Sequence, residues 1–221
     1  MQTVRLPRGD RPVSAGGGVC SRHGLSFGAH YDPERTSFGA LVAHNDDVLD
    51  AGAAYGAHEH RDVEILAWVL DGVMIHTGPD GHETPVPAGT LQHLVAGTGW
   101  RHDERAADSA DAHLLQIWVT PGLDDPAPGE PSLEHHRPDL AAGAFTLALR
   151  RPGVTVTLAR PGPGRIWRPA DGTFRHVHVA RGSLVDLVDA AAGDSLEVTG
   201  PGELALPAGP DGAELVVVTT A

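Results

Sequence analysis

The chain has 221 residues and a formal net charge of −13, and its 16 cationic side chains are all arginines. This acidity disfavours direct binding to nucleic acid or to a membrane surface, because both partners are anionic. A single cysteine, Cys20, excludes an internal disulfide. No run approaches the roughly 18 apolar residues of a membrane span, and residues 1–13 lack the apolar stretch of a signal peptide. We therefore expect a cytoplasmic protein with no membrane or nucleic-acid partner.

Short apolar segments between glycine and proline turns predict β-strands along most of the chain. Residues 38–49 are predicted to form a strand, a turn and a second strand, and residues 63–83 are predicted to form a hairpin that bends at Asp71-Gly72. Many short strands with frequent turns are typical of β-sandwiches and barrels. Further strands are predicted at residues 90–97, 113–120, 145–150, 154–160, 174–189 and 214–220.

The segment from Pro121 to Pro138 is rich in proline, glycine and acids, and it has no apolar periodicity. Such a composition predicts a linker, here residues 123–138. The linker would join an N-terminal barrel, residues 1–122, to a C-terminal barrel, residues 139–221.

The two halves share short stretches of sequence. Ala67–Thr77, "AWVLDGVMIHT", is similar to Val177–Leu187, "VHVARGSLVDL". Each stretch has a strand, a charged residue, a glycine turn and a second strand. The similarity predicts a duplicated unit.

The stretch "AHEHRDVE" contains metal-ligating side chains at alternating positions, namely His58, His60, Asp62 and Glu64. In one continuous strand all four would leave the same face. A solvated strand edge is the alternative, because 14 histidines in the chain make a chance H-x-H pattern common.

A second group lies in "GTGWRHDER", where His102 and Glu104 are also two residues apart. Three histidines and one carboxylate make a mononuclear site with positions open to water, O₂ or substrate. Such ligands suit Fe(II), and also Ni, Co, Cu, Mn or Zn. The occurrence of both groups in one predicted domain favours a metal site over a strand edge.

Gly52–Glu64, followed by Gly72, resembles the first signature of the cupin superfamily. More specifically, "HNDDVLDAGAAYGAHEHRDVEILAWVLDG", "PAGTLQHLVAGTGWRHDE" and "HLLQIWVTPG" are together similar to the pirin family. The similar region runs from Tyr31 to Gly122, and the C-terminal half resembles the family only in outline.

The resemblance implies an all-β bicupin fold, two antiparallel jelly-roll barrels in one chain, with one iron in the N-terminal barrel. It implies His58, His60, His102 and Glu104 as the ligands. It also implies the activity of part of the family, quercetin 2,3-dioxygenase, which opens the central ring of the flavonol with O₂ and releases carbon monoxide. Other members are described as cofactors of transcriptional regulators or as modulators of metabolic enzymes, and the resemblance does not choose between these roles.

The two patterns nominate different carboxylates as the ligand. The general cupin pattern favours Glu64, but the pirin pattern around "AGTGWRHDE" is closer and favours Glu104. We therefore place Glu64 behind the ligands, where it would orient one of them, and assign Asp62 and Arg101 to the same outer layer. Asp62 facing solvent or pairing with an arginine is the alternative. His93 misses the cupin spacing by one residue, and its role is open.

The C-terminal half is an internal control for the metal site. We predict no metal in the second barrel and assign His176 and His178 to a polar strand face. When the halves are aligned on their turn glycines, the positions that match the four ligands hold Arg168, Ala170, Leu206 and Ala208.

The leading functional hypothesis is a metal-dependent dioxygenase that acts on a small aromatic substrate and O₂. The metal would bind the 3-hydroxyl of a flavonol, and Glu104 would take its proton. Phe38, Trp68, Leu91 and Trp100 are the candidates for an apolar pocket. The alternatives are an iron-binding redox regulator that docks on a protein partner, and another cupin chemistry such as an isomerase. Because two barrels in one chain imitate a cupin dimer, we expect a monomer.

Overall fold

The computed structural model describes residues 1–122, 129–141, 143–186 and 189–221. In these residues the regular structure is nineteen β-strands and one short 3-10 helix, Arg8–Asp10, which confirms the all-β prediction. No helix in the described part of the chain is long and apolar enough to cross a membrane.

The strands are numbered in chain order. They are β1 (Gln2–Leu6), β2 (Val13–Gly16), β3 (Val19–His23), β4 (Leu41–Leu49), β5 (His58–His60), β6 (Glu64–Asp71), β7 (Val73–Thr77), β8 (Glu83–Pro87), β9 (Leu91–Val95), β10 (Trp100–Ala106), β11 (Ala112–Val119), β12 (Ser132–His136), β13 (Phe145–Ala148), β14 (Val154–Ala159), β15 (Ile166–Trp167), β16 (Phe174–Leu184), β17 (Ala190–Ala191), β18 (Ser195–Thr199) and β19 (Leu206–Thr220).

The N-terminal unit comprises Pro12–Ser37 and Leu41–Pro138. Its larger sheet has the strand order β12-β9-β6-β11-β4-β3-β2, and its smaller sheet has the order β5-β10-β7-β8. All neighbouring strands are antiparallel. The smaller sheet carries the H-x-H pair on β5 and both candidate residues of β10.

Strand β6 shows how the apolar pattern builds the core of this unit. Its alternating residues Ala67 and Val69 pack with Met74 and Val86 of the smaller sheet. Two residues before Ala67, Ile65 lies on the same face and packs in a neighbouring buried cluster. The two sheets therefore enclose an apolar interior, and any polar side chain on this inner face needs an internal partner.

The C-terminal unit comprises Met1–Arg11, Phe38–Ala40 and Asp139–Ala221. Its sheet has the order β1-β18-β16-β19-β14-β13, with β15 beside β19 and β17 beside β16. Its core is a cluster of buried aliphatic side chains that includes Val177, Val179, Leu196, Leu215 and Val217.

The structure divides the chain differently from the prediction, because residues 1–11, Phe38–Ala40 and part of the predicted linker belong to other units than expected. Residues 1–11 belong to the C-terminal unit, because β1 pairs with β18 along its whole length. The predicted linker, residues 123–138, is partly a strand, because β12 pairs with β9. Residues 123–128 of that linker, and residues 187–188 at the end of a predicted strand, lie outside the described residues.

Gly72 and Gly182 are equivalent turn residues of the two units, and both positions require glycine. Their φ angles are 73° and 69°. A Cβ atom at Gly72 would lie 2.0 Å from the carbonyl oxygen of Asp111, and one at Gly182 would lie 2.1 Å from that of Gly212. The same conformation and the same close approach in both units support the predicted duplication.

Replacing Gly72 with alanine is expected to lower the free energy of unfolding by roughly 3 kcal/mol or more. A positive φ is strained for alanine, and the contact with a backbone oxygen can be relieved only by moving the chain near β11. Urea unfolding followed by tryptophan fluorescence would measure the loss. Gly81→Ala is the matched control, because Gly81 has a φ of 79° but open space around its Cβ position. It should cost only about 1 kcal/mol, and equal losses would contradict the steric explanation.

Candidate metal centre

Strand β10 brings the predicted ligands together. On one side it pairs with β5, which sets His102 opposite His58. On the other side it pairs with β7, which sets Glu104 opposite His76. Residues two apart on a strand share a face, and His102 and Glu104 are only 2 % and 1 % exposed.

Three histidines converge at this point. The Nε2 atom of His58 lies 3.1 Å from the Nε2 atom of His102. The ring centroids of His58 and His60 are 4.7 Å apart. One ring nitrogen from each of the three histidines lies within 4.8 Å of the others. Such separations suit donors around one ion with metal–nitrogen bonds of about 2.1 Å, so the three imidazoles fit a divalent metal.

Neighbouring groups fix the two rings of β5. The Nδ1 atom of His58 lies 2.7 Å from the carbonyl oxygen of Gly56. A carbonyl can only accept, so the proton is on Nδ1 and the lone pair is on Nε2, which faces His102. The ring of His60 packs edge-on against Trp118, with centroids 4.8 Å apart. The hydrogen bond at Nδ1 of His58 orients its Nε2 atom for a metal.

Glu104 belongs to a second group that overlaps the first. Its Oε1 atom lies 3.6 Å from Nδ1 of His76 and 4.0 Å from Nδ1 of His102. His76, His102 and Glu104 form a group in which the donor atoms are within 4.8 Å of one another. The structure therefore arranges the predicted ligands as two groups that share His102. Its Nε2 atom faces His58 and its Nδ1 atom faces His76.

Two amides hold the carboxylate of Glu104. Gln92 Nε2 donates to Oε1 at 2.6 Å, and Gln116 Nε2 donates to Oε2 at 2.9 Å. Behind them, Trp118 Nε1 donates to the Gln116 oxygen and His135 Nε2 donates to the Gln92 oxygen, each at 3.2 Å. Both oxygens of the carboxylate are thus fixed by donors that are themselves fixed.

Four side chains of this site were not predicted from the sequence, namely His76, Gln92, Gln116 and His135. A signal existed for the two glutamines, because each interrupts an apolar strand at a position that faces the barrel interior. A polar residue at such a position must have a buried partner. His135 gave no signal, because its strand was predicted to be a linker.

The electrostatics of the site match a metal centre. Burial lowers the pKa of His60 to about 4, helped by nearby His58 and opposed by Glu104. Burial likewise lowers the pKa of His102 to about 4, against the opposing effect of Glu104. Burial alone would raise the pKa of Glu104, but interactions with His76 and His102 hold it below its usual value. Neutral imidazoles beside an ionised carboxylate are the protonation states that a metal requires.

The chain turns between His60 and Glu64 instead of continuing as one strand. Strand β5 ends at His60, Asp62 has a φ of 53°, and β6 begins at Glu64. The turn breaks the alternation that would place Glu64 on the same face as His58 and His60. Ile65 points into the core, so Glu64 points to the other face of the larger sheet. There its Oε2 atom accepts a hydrogen bond from Nε2 of His93 at 2.8 Å. Glu64 therefore does not occupy the predicted position behind the ligands.

The two other residues predicted for the outer layer are exposed to solvent, namely Asp62 and Arg101. Arg101 lies between Trp100 and His102 on β10, so strand alternation directs it away from the ligands. The side chain of Asp62 faces solvent, which was the alternative prediction for this residue.

Three of the four predicted pocket residues lie elsewhere. Trp68 and Leu91 face each other across β6 and β9, and both lie on the opposite side of the sheet from Gln92 and its hydrogen bond to Glu104. Phe38 belongs to the C-terminal unit, where it packs edge-on against Phe174. In a continuous apolar strand the sequence does not show which alternate residues face the barrel interior. For this reason Trp68 and Leu91 were assigned to the wrong face.

The fourth residue, Trp100, lines a pocket of about 360 Å³. The other walls are His76, Leu133 and the turn between β7 and β8. The Nε1 atom of Trp100 and the Nε2 atom of His76 are buried and have no hydrogen-bond partner among the described residues. Because the other nitrogen of His76 faces Glu104, this side chain connects the pocket with the candidate metal centre.

Another buried carboxylate, Asp47, lies on β4 in the same barrel. The hydroxyl of Tyr55 donates to its Oδ2 atom at 2.7 Å. Burial raises the pKa of Asp47 to about 6, although the Tyr55 hydrogen bond acts in the opposite direction. The ionised form of Asp47 is therefore destabilised in the folded protein.

This shift predicts that the contribution of Asp47 to the free energy of unfolding decreases as the pH rises from about 4 to about 6. The lowered pKa values of His60 and His102 act in the opposite direction over this range, so the Asp47 contribution is the difference between wild type and an Asp47 variant. The folded state binds the Asp47 proton more tightly than the unfolded state, so ionisation favours unfolding. Asp47→Asn should remove this contribution, so the variant should gain stability relative to wild type over this range, by up to about 3 kcal/mol above pH 6. Urea unfolding of both proteins between about pH 4 and pH 8 would test it. Asp108→Asn, at an exposed carboxylate, should leave the dependence unchanged.

The histidines of the second H-x-H pair are buried, not exposed on a polar strand face. His176 and His178 are each 1 % exposed. The Nδ1 atom of His178 lies 3.1 Å from Oγ of Ser195, and that of His176 lies 3.8 Å from a carboxylate oxygen of Glu197. The absence of a metal from this unit stays a prediction.

Comparisons with known proteins agree with this architecture. The profile of the Pirin family matches residues 8–119, which is half of the chain. The chain belongs to the pirin family. It is 45% identical over 106 residues to the quercetin 2,3-dioxygenase of Escherichia coli K12, covering 48% of this chain and 46% of that protein. It is 34% identical over 195 residues to a Mycobacterium tuberculosis protein that carries the same enzyme name provisionally. That match covers 82% of this chain and 80% of the Mycobacterium tuberculosis protein.

Solved pirin structures match the whole chain. YhhW from Escherichia coli superposes with a TM-score of 0.89 at 28% identity and covers 100% of this chain and 98% of its own. The complex of this bacterial pirin with nickel(II) gives a TM-score of 0.89 at 27% identity, with 99% of each chain covered. These matches confirm the predicted two-barrel cupin fold.

Proposed function

We propose that this protein is a metal-dependent dioxygenase that opens the ring of quercetin or a related flavonol with O₂. The observation that carries the proposal is the convergence of three imidazoles, His58, His60 and His102, beside the buried carboxylate of Glu104. The enzyme name of the Escherichia coli relative supports the same assignment.

One divalent ion would be held by the three imidazoles. Glu104, the fourth donor that the family resemblance implies, lies at the Nδ1 atom of His102, whereas the Nε2 atom of that ring faces His58, so the His102 ring would have to turn over for all four to bind one ion. Fe(II) is the expected metal, and Ni, Co, Cu, Mn and Zn suit the same ligands. The nickel(II) complex of the Escherichia coli pirin supports a bound metal without fixing its identity here. When bound, the metal supplies the charge that lowers the pKa of a phenolic hydroxyl.

Glu104 is the proton acceptor in this proposal. Its low pKa keeps the carboxylate ionised, so it can take the proton of the flavonol hydroxyl. The amides of Gln92 and Gln116 fix both of its oxygens and so hold it in one orientation. His76, 3.6 Å from Oε1, is the next group to which a proton can pass.

The pocket beside His76 is the candidate site for the aromatic rings. Its volume of about 360 Å³ falls in the usual range for small-molecule sites, roughly 300–1,000 Å³. The ring of Trp100 and the side chain of Leu133 give it apolar walls, which exclude water from a bound flavonol.

Oxygen uptake with quercetin tests the proposal. The protein would be stripped of metal, reloaded with Fe(II) and compared with His58→Ala. The expected result is loss of O₂ together with the flavonol absorbance, abolished in the variant. A bound metal that the variant loses, without turnover, would favour a regulator or another substrate. No bound metal in either protein would refute the site itself.

A further inference from the structure

A further group of side chains that can ligate a metal, separate from the two overlapping groups described above, lies on the other face of the β9 and β12 pair. It consists of His93 on β9 and of Glu134 and His136 on β12, and we name it the β9–β12 cluster. One donor atom from each residue lies within 4.8 Å of the others. The cluster belongs to the N-terminal unit and shares no residue with the metal centre described above.

Strand pairing builds this cluster. Glu134 stands directly opposite His93 in the antiparallel ladder, and His136 is two residues further along the same face. His135, between them, turns to the inner face and donates to Gln92. The sequence "EHH" therefore divides its two histidines between the two faces of the sheet, and only one of them serves the interior.

A buried carboxylate orients the imidazole of His93. Its Nε2 atom donates to Oε2 of Glu64 at 2.8 Å, and both side chains are only 8 % exposed. This hydrogen bond places the proton on Nε2 and leaves the lone pair of Nδ1 for another partner. Histidines that bind metals commonly donate their second ring nitrogen to a carboxylate in this way. The negative charge of Glu64 also favours a cation nearby.

The other two members keep the cluster open to solvent. The side chains of Glu134 and His136 are 61 % and 23 % exposed, and Nε2 of His136 lies 3.5 Å from Oε2 of Glu134. An ion can therefore reach Glu134 from water, and the oriented imidazole of His93 and the buried Nε2 atom of His136 lie behind it. Two imidazoles and one carboxylate, with room for water, are a common ligand set for zinc.

We propose that the β9–β12 cluster is a second divalent-cation site, for an ion such as Zn(II), Co(II) or Ni(II) that combines imidazole with carboxylate. Strand β12 is the edge strand of the larger sheet, so the ion would tie this edge to β9. The same two strands carry Gln92 and His135 on their inner face. Ion binding would thus stabilise the strands that hold Glu104 in place.

Zinc stoichiometry tests the proposal independently of any dioxygenase activity. The full chain, stripped of metal, would be titrated with Zn(II) by calorimetry, and the bound zinc would be counted by mass spectrometry after gel filtration. Wild type should bind two ions per chain. His93→Leu and Glu134→Gln should each lose one ion, or bind it at least 10-fold more weakly, while His58→Ala loses the other. His30→Ala, which removes an imidazole outside both groups, should retain two.

Glu134→Gln keeps the test valid if His93→Leu fails to fold, because Glu134 is exposed and glutamine has the same shape. Unchanged zinc number and affinity in both variants would overturn the second site. A single zinc in wild type that His58→Ala abolishes would overturn it as well. A single zinc that only His93→Leu and Glu134→Gln abolish would support this site and contradict the first.

Discussion

His102→Ala is expected to lose the bound metal and to reduce quercetin-dependent O₂ uptake to the background rate. His102 is the one residue shared by both ligand groups, with its Nε2 atom 3.1 Å from His58 and its Nδ1 atom 3.4 Å from His76. Its removal separates the β5 histidines from Glu104, so metal affinity should fall by more than about 100-fold. Metal content and O₂ uptake of the Fe(II)-loaded variant measure both effects.

The control for this variant is His30→Ala, which should retain both metal and activity, because His30 lies outside the ligand groups. Since His102 is buried, circular dichroism should first show that the variant is folded. A folded His102→Ala protein with a full complement of metal would contradict the assignment of this residue as a ligand.

Glu104→Gln is expected to keep the metal but to lower kcat at least about 100-fold. Three imidazoles remain to hold the ion, so its affinity should weaken only about 10- to 100-fold. The variant lacks the charge that accepts the substrate proton. In addition, its amide group would face one of the donors that now hold the carboxylate, Gln92 or Gln116. Turnover at saturating Fe(II) and metal content, measured on the same sample, separate binding from catalysis.

Glu83→Gln is the matched control, because Glu83 is an exposed carboxylate on the neighbouring strand β8. It should leave kcat unchanged. Wild-type turnover in Glu104→Gln would exclude Glu104 as the proton acceptor. If Glu104→Gln lost its metal as completely as His102→Ala, Glu104 would be needed to hold the ion. That result would contradict the proposal that the imidazoles hold the metal and Glu104 takes the proton.

Strand alternation within two short motifs predicts that His58 and His60 share a face and that His102 and Glu104 share a face. Their convergence also depends on the pairing of β5 with β10, and the pirin resemblance, not alternation, implied that both motifs bind one metal. The position of Glu64 could not be predicted, because it depends on a turn between His60 and Glu64. In that turn Asp62 adopts a left-handed conformation that is uncommon for residues other than glycine. Without the turn, the even spacing of the motif places Glu64 with the histidines.

Long-range pairing accounts for most of the remaining differences. The segment "SLEHH" has the composition of a linker and becomes a strand only because β9 offers it an unpaired edge. Strand β1 joins the C-terminal unit through β18, nearly two hundred residues away in sequence. Neither partner is visible from local composition. The glycine turns at Gly72 and Gly182, in contrast, were detectable because their requirement is local.

The ratio of carbon monoxide released to O₂ consumed, measured with quercetin and the Fe(II)-loaded protein, tests the central claim most directly. Ring opening by a 2,3-dioxygenase consumes one O₂ and releases one carbon monoxide for each flavonol, so a ratio near one is predicted. Wild type should give this ratio. His102→Ala should neither consume O₂ nor release carbon monoxide. Oxygen consumption without carbon monoxide would show that quercetin is merely oxidised, and it would contradict a ring-opening dioxygenase at this metal centre.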